Sequence, residues 1–416
     1  MKLKPTSLLI AGALFSAAVM PVHASNEAMM DLLKVLHQRG TITDADFELL
    51  TNAAHADKEA SQEVMSKIDK VESKTASFKS IEWADRIKIK GDMRFRHETI
   101  RTDSVAGHLD AESEDRQRIR ARVGVYADIN DTTKAGFRFV TTGKDGGLGS
   151  NDSTNESLDE DFKTRNLGID LAYIDWAPEM LGGNTNLIFG KMKQPWMKVN
   201  SLVWDGDTNP EGMAVKSEFN AAGINFIPSA GYYTLDDISN VSFSDEQHLI
   251  HAQLAAQLGD NTQLGVSFYG YEDETRAGTL ADPLEERLIE VFGETAIPGT
   301  PVTAYASFVQ NQNDNNSGIE GDEEAWAIGA QAKVDKFKLG YEYRDHGVNA
   351  LNDNFNNSDT LDDGKGSIFK LGYTIDKNFS IGATYYDMES NISKANLGAT
   401  DVDDMQTLHL DLKAKF

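Results

Sequence analysis

From Ile87 onward the chain is written in a two-residue rhythm. Ile87, Ile89, Met93 and Phe95 fall on one side of an extended strand, with Gly91 among them, while Lys88, Lys90, Asp92, Arg94 and Arg96 fall on the other. Ile119, Ala121, Val123 and Val125 then alternate with Arg116, Arg118, Arg120 and Arg122. Further runs set Ile250, Leu254 and Leu258 against His251, Gln253 and Gln257, and Trp326, Ile328, Ala330 and Val334 against Gln331 and Lys333. Phe337, Leu339, Tyr341 and Tyr343 oppose Lys338, Glu342 and Arg344. The last run sets Leu408, Leu410, Leu412, Ala414 and Phe416 against Thr407, His409, Asp411, Lys413 and Lys415. Segments of about ten residues in this rhythm, separated by Asn/Asp/Gly turns, predict an all-β fold, a transmembrane antiparallel β-barrel.

A soluble sandwich also alternates, so the faces need an energetic argument. An Arg on the lipid side near the mid-bilayer costs about 2–4 kcal/mol. Four in a row are prohibitive, so the arginines of a membrane barrel must face the lumen. Connection lengths alternate accordingly. Short turns fall at Asn130-Asp131, Gly259-Asp260-Asn261, Asp335-Lys336 and Asp376-Lys377, and long polar loops at 99–115, 143–165, 347–365 and 390–403. With both ends in the periplasm, the short turns belong inside and the long loops outside. A first tally gives an odd number of strands, and direction fails between Glu272 and Val302. Making Leu284 to Gly293 a strand restores an even count of about sixteen. The alternative there is an amphipathic loop helix starting at Pro283.

The first part of the chain reads differently. Residues 1–24 have a basic start (Lys2, Lys4), an apolar stretch from Ser7 to Met20 and a small-residue cleavage site at Val22-His23-Ala24, which together predict a signal peptide. Residues 25–80 form a helical periplasmic segment, and 81–416 form the barrel. Asn26 to Gln38 predicts a helix stopped by Gly40, and Thr43 caps the next one. From Phe47 a heptad seam continues through Leu50, Ala54, Asp57, Ser61, Val64, Ile68, Val71, Thr75 and Phe78. This is either a short coiled coil that helps a trimer assemble or a solvated helix.

Composition narrows the chemistry. There are no cysteines, which removes disulfides and thiolate sites, and the formal charge of -26 argues against a nucleic-acid partner. The acidity concentrates in Asp152 to Asp161, Asp314 to Glu324 and Asp353 to Asp363, none of which has calcium-hand spacing. These are solvated loops or sites where divalent cations bridge to lipopolysaccharide. No G-x-S-x-G elbow or H-E-x-x-H spacing occurs, so no catalytic residues, metal site or cofactor are expected.

A barrel of about sixteen strands is wide enough for an aqueous channel. Its candidate selectivity wall is the basic face of Lys88, Lys90, Arg94, Arg96, Arg116, Arg118, Arg120 and Arg122, joined by Lys134 and Arg138. The segment Pro195 to Pro210 could fold inward and bring Asp205 and Asp207 opposite that wall as constriction carboxylates. The wall cations could equally be paired with neighbouring carboxylates. Tyr173, Trp176, Trp326, Tyr341, Tyr343, Tyr385 and Phe416 suit interfacial girdles. Leu408, Leu410, Leu412 and Phe416 form a terminal signal for the barrel-assembly machinery.

Several motifs carry a family resemblance: Met30-Asp31-Leu32-Leu33-Lys34-Val35-Leu36 with Gly40-Thr41-Ile42-Thr43, the run Ile87 to Arg96, Ala172 to Pro178, and Phe189-Gly190-Lys191-Met192-Lys193. In this order they resemble the "putative porin" family of Gram-negative outer-membrane proteins. The resemblance implies an outer-membrane, non-enzymatic diffusion channel for small hydrophilic solutes or ions, assembled as a homotrimer among outer-membrane lipid and lipopolysaccharide. Related phosphate-selective porins use an arginine ladder, which Arg116 to Arg122 resemble. The competing expectation is a structural or adhesive barrel without an open pore.

Overall fold

The computed structural model of the chain describes residues 22–79, 85–104, 112–142, 154–159, 161–162, 164–237, 246–273, 286–312, 323–352, 355–356, 359–361, 363–391 and 402–416. It divides into two compact units, Met1–Asp85 and Arg86–Phe416.

The first unit is a helical hairpin of α1 (Val22–Gln38) and α2 (Asp44–Lys79). The helix α1 starts ahead of the expected Asn26, inside the stretch read as an export signal, and residues 1–21 of that signal lie outside the described residues. Gly40 takes the left-handed conformation (φ 66°) that ends a helix, as its sequence position predicted. Thr43 caps α2 as expected, its Oγ1 accepting from the Asp46 N–H at 3.2 Å. Phe47 stacks on His37 with ring centroids 4.5 Å apart, and Ala54 is buried, so the start of the heptad seam is engaged within the hairpin. Leu50 and Val64 stay exposed, and the side chains of Asp57, Ser61, Val71, Thr75 and Phe78 lie outside those described. Neither helix is long and apolar enough to cross a membrane.

The second unit is one closed antiparallel sheet. In chain order its strands are β1 (Ile87–Ser104), β2 (Glu112–Asn130), β3 (Thr133–Thr142), β4 (Glu156–Ser157), β5 (Asn166–Trp176), β6 (Thr185–Lys191), β7 (Glu211–Ser217), β8 (Phe219–Ala221) and β9 (Ile224–Asp237). They continue as β10 (Glu246–Leu258), β11 (Thr262–Asp273), β12 (Glu286–Ala296), β13 (Val302–Asn311), β14 (Glu324–Val334), β15 (Phe337–His346), β16 (Gly364–Thr374), β17 (Phe379–Ser390) and β18 (Val402–Lys415). The two-residue β4 and the three-residue β8 are side pieces, which leaves sixteen wall strands of the eighteen. Each wall strand pairs with the next, and β18 pairs back onto β1 over Asp92↔Lys415 to Ser104↔Val402, closing the barrel.

The faces follow the rhythm of the sequence. Ile89 (65% exposed), Met93, Phe95, Ile328, Leu339, Leu410 and Leu412 are exposed, whereas Arg94, Arg96, Arg120, Glu342, Arg344, His409 and Asp411 are buried. Exposed leucines and buried arginines invert the soluble pattern, and a barrel set in lipid is the arrangement that accounts for both. A one-residue slip would turn every arginine toward lipid, which fixes the register.

Residues 286–296 form a strand as the parity argument required, rather than the alternative loop helix. Two expectations change. Residues 99–104 and 112–115, read as loop, belong to β1 and β2, because pairs such as Thr99↔Asp115 continue the ladder with polar side chains on both faces. Tyr173 is also not a girdle residue, since it packs against the interior cluster. It stands three residues before the exposed Trp176, and side chains three apart on a strand face opposite sides. Much of the acidic stretches 152–161, 314–324 and 353–363 lies outside the described residues.

Candidate functional site

The basic residues converge on the inner face of β1, β2 and β3, and strand register decides their company. Asp92 stands directly opposite Arg122, and Glu98 opposite Arg116; across the closing seam Arg96 stands opposite Asp411. These pairs are made. Arg122 Nε donates to Asp92 at 2.8 Å, and Arg96 donates from Nε and Nη2 to the two Asp411 oxygens at 2.7 and 3.1 Å. Arg116 pairs with Glu98, and Arg118 reaches the same carboxylate at 3.3 Å. Arg138 pairs with Asp170, beside the register shift of β3 on β5. Lys88 pairs with Asp128 at 3.2 Å, and Lys90 sits 5.8 Å over the Tyr126 ring. Lys134 is exposed on the same face.

Two positions pair like with like. Arg94 faces Arg120, and Arg96 faces Arg118. Directly opposed like charges destabilise a sheet unless something intervenes. At the first of these positions the intervening group comes from the connection between β6 and β7. These two strands have only seven residues each, so the chain leaves the wall early and turns inward at 192–210. Asp207 there accepts from Arg120 Nη1 at 3.0 and 2.9 Å and from Arg122 at 3.4 Å, with Arg94 at 3.9 Å. Arg94 donates from Nε to Asn155 at 2.7 Å.

The same segment is fastened to the far wall. The Met197 N–H donates to Gln253 on β10, whose amide donates back to the Met197 carbonyl, both at 2.8 Å. Asn200 donates to Ser307 on β13 at 2.7 Å, and Arg344 on β15 reaches the Ser201 carbonyl at 3.5 Å. Between the two anchorages Trp196, Leu202, Val203 and Trp204 are almost wholly buried against Tyr233, Tyr269, Tyr271 and Leu288 of the wall. Phe355 of the 347–363 connection covers Trp204 at 5.1 Å between ring centroids. The segment is therefore a crossbar, salt-bridged at one end and greasy at the other. It fills the interior beside β9 to β14.

Burial alone would raise the Asp207 carboxyl, but Arg120, Arg94, Arg122 and Arg138 together hold it below the ordinary carboxylate range. Asp205 has no such company. Burial pushes it up to about 6, although its Oδ1 accepts from the Asp207 N–H at 2.6 Å. Burial likewise draws Lys198 down to about 8, its Nζ donating to the Trp204 carbonyl at 2.8 Å. Of the two expected constriction carboxylates, Asp207 meets the basic wall and Asp205 does not.

Glu98, Asp359 and His409 bring ligand-type atoms within 4.8 Å of one another. His409 Nε2 lies 3.0 Å from Glu98, but Arg96, Arg116 and Arg118 crowd the same carboxylate, and those three cations oppose a metal ion there. Leu410, Leu412 and Phe416 are exposed on the outer face that Leu408 shares. The carboxylates Asp92, Glu98, Asp170 and Asp411 are ion-paired members of this wall that the sequence alone did not single out. Asp92 and Asp411 share a face with the cations in the alternation, but their cross-strand partners follow only from the register.

Residues 101–281 match the family model described as "Putative porin". No curated protein matches the chain. Among solved structures, the chain is similar to OmpF of Salmonella typhi, solved with daunomycin, at a TM-score of 0.50 and 11% identity over 79% of this chain and 97% of that one. It is also similar to an OmpT loop-deletion mutant of Vibrio cholerae (0.45, 16% identity, 80% and 100% coverage). A triple mutant of the Rhodopseudomonas blastica porin gives 0.45 and 11% identity over 79% and 100%. The family match and the OmpF-like fold bear out the resemblance read from the sequence. The chain is a closed antiparallel β-barrel with a fold similar to that of OmpF.

Proposed function

We propose that this porin-type barrel passes small hydrophilic solutes and ions by diffusion along the half of its interior that the crossbar leaves wet. The observation that carries this is the double anchorage of residues 192–210, with Asp207 on Arg120 at one end and Asn200 on Ser307 at the other. Because the packed cluster occupies the side of β9 to β14, the passage runs beside β15 to β18 and β1 to β3. Lys338 and Lys370 are exposed on inward-facing positions there and make no ion pair among the described residues, whereas Lys413 pairs with Asp411 at 2.9 Å and keeps nearly half its side chain exposed. Lys193, on the crossbar, is also exposed. Those lysines give the path a positive potential, which favours small anions despite the overall acidity of the chain. The arginines act mainly as structure: they hold the crossbar and leave the lysines to meet solutes.

The chain works as a homotrimer embedded in outer-membrane lipid and lipopolysaccharide, delivered by its export signal and recognised by the assembly machinery through its last strand.

A second reading is favoured by the same crossbar: a structural barrel closed by its own packed loop. Single-channel conductance in planar bilayers separates the two. An open channel whose reversal potential in a salt gradient reports anion preference supports the first; a silent, correctly folded barrel supports the second.

A further inference from the structure

A second polar site lies on the inner wall, far along the barrel from the crossbar. At the rim of short turns, β6, β7, β8 and β9 form an open cleft of about 540 Å³ lined by Asn184, Asn186, Lys216, Glu218, Asn220 and Asn225. Register brings these residues together: Asn186 stands opposite Lys216, and Asn220 opposite Asn225. They share the inward face, since Ala214, two residues before Lys216, is buried against the interior cluster, whereas Val215 is exposed on the outer face.

Two of the amides are positioned by carboxylates. Asn186 donates to Asp175 and Asn225 to Glu218, each at 2.6 Å. Each keeps its second N–H, and Asn184 and Asn220 have no side-chain partner among the described residues. Lys216 is half-buried and makes no ion pair among them. The niche thus offers several carboxamides, each with donors and an acceptor in one plane, and one charge of each sign two residues apart, or roughly 7 Å along the strand. An anion would meet Glu218 and a cation Lys216. A neutral polyhydroxylated solute can use every group, because vicinal hydroxyls donate and accept at the spacing that amides present. The volume falls within the range of small-molecule sites.

We infer that this niche is a weak binding site for a short neutral carbohydrate at the short-turn mouth of the channel. The inference deepens the diffusion-channel reading and rests on it for its role in transport, though not for binding itself.

The test uses the full mature chain in planar bilayers, with maltose as the probe added to one side at a time. Maltose is expected to reduce the current from the short-turn side with millimolar half-saturation, and far less from the other side. Asn184→Ala with Asn220→Ala should raise the half-saturation at least fivefold while leaving the sugar-free conductance unchanged. Equal block from both sides, no block, or block unaffected by the double variant would overturn the site. So would a dipeptide, Gly-Gly, blocking where maltose does not, since that would make the niche a zwitterion site. If the sugar-free barrel conducts nothing, the channel reading fails on its own. Maltose titration of the detergent-solubilised protein and its double variant then decides the niche alone: saturable binding weakened in the variant sustains it, and no saturable binding removes it.

Discussion

Arg120 donates to both carboxylate oxygens of Asp207, at 3.0 and 2.9 Å, and so ties an inward loop to a wall strand 87 residues away in sequence. The contact also relieves a repulsion, because Arg94 stands directly opposite Arg120. Replacing Asp207 by Asn keeps the shape and removes the charge. Breaking a buried pair from one side costs about 3–5 kcal/mol, and the partial exposure of Asp207 lowers that to roughly 1–3 kcal/mol. The variant should unfold at lower temperature in a heat-modifiability gel and conduct with stronger anion preference. A variant unchanged in both would mean that the crossbar does not depend on this contact.

Removing the cations tests the complementary side. Arg118→Ala with Arg120→Ala leaves Glu98 with one arginine fewer and Asp207 without its closest partner. The reversal potential in a salt gradient should move toward cations. No movement would put these arginines off the ionic path, as purely structural members of the wall.

The greasy end of the crossbar should limit conductance. Trp204 is 2% exposed and lies 5.6 Å from Tyr269 and 5.1 Å from Phe355 between ring centroids. Truncating such a residue to Ala typically costs about 3–5 kcal/mol. Since the loss falls on the loop's docking and the strands keep their hydrogen bonds, Trp204→Ala should fold into a barrel with larger, noisier conductance. A barrel with unaltered current would show that the filled half does not bound the passage.

Docking of the crossbar should vary with pH in a defined sense. Asp205 is raised to about 6, so the stability linked to its neutral form is complete below its ordinary value and is lost as pH rises through about 6. Lys198 is drawn down to about 8, so the stability linked to its neutral form is complete above its ordinary value and is lost as pH falls through about 8. Both trends place the weakest docking between about pH 6 and pH 8. Asp205→Asn retains an oxygen for the Asp207 N–H and cannot ionise. It should bring docking near pH 7 up to the acid level and flatten the acid side of the profile, as read by loop proteolysis against pH. A profile that keeps its acid limb in the variant would assign that limb to another group.

The wall was legible in the sequence because one face of each strand meets lipid and the other meets water, which forces the period of two seen in Arg116 to Val125. Parity alone recovered β12, where local propensity was ambiguous. What the alternation could not carry was the interior. Leu249, Tyr269 and Leu288 face inward yet are buried and apolar, because the crossbar and not water covers them. Their partners Trp196 and Trp204 stand in a segment without strand periodicity, so only the tertiary fold pairs them. The carboxylates that neutralise the arginines were hidden for a similar reason. Arg96 and Asp411 are 315 residues apart, and only the closing register sets them side by side.

The seam that holds that pair also joins the two ends of the barrel. Phe416 exchanges backbone hydrogen bonds with Gly91 at 3.0 and 3.1 Å, and its ring occupies the space where a side chain on Gly91 would stand. β18 gives the edge of β1 its ladder partner and gives Arg96 the Asp411 carboxylate, in addition to Glu98 at 3.7 Å on β1 itself. Closing the seam completes the ladder and the Arg96–Asp411 pair together. The first and last strands thus seal along a line where a hydrogen-bond ladder and a complementary charge pair coincide.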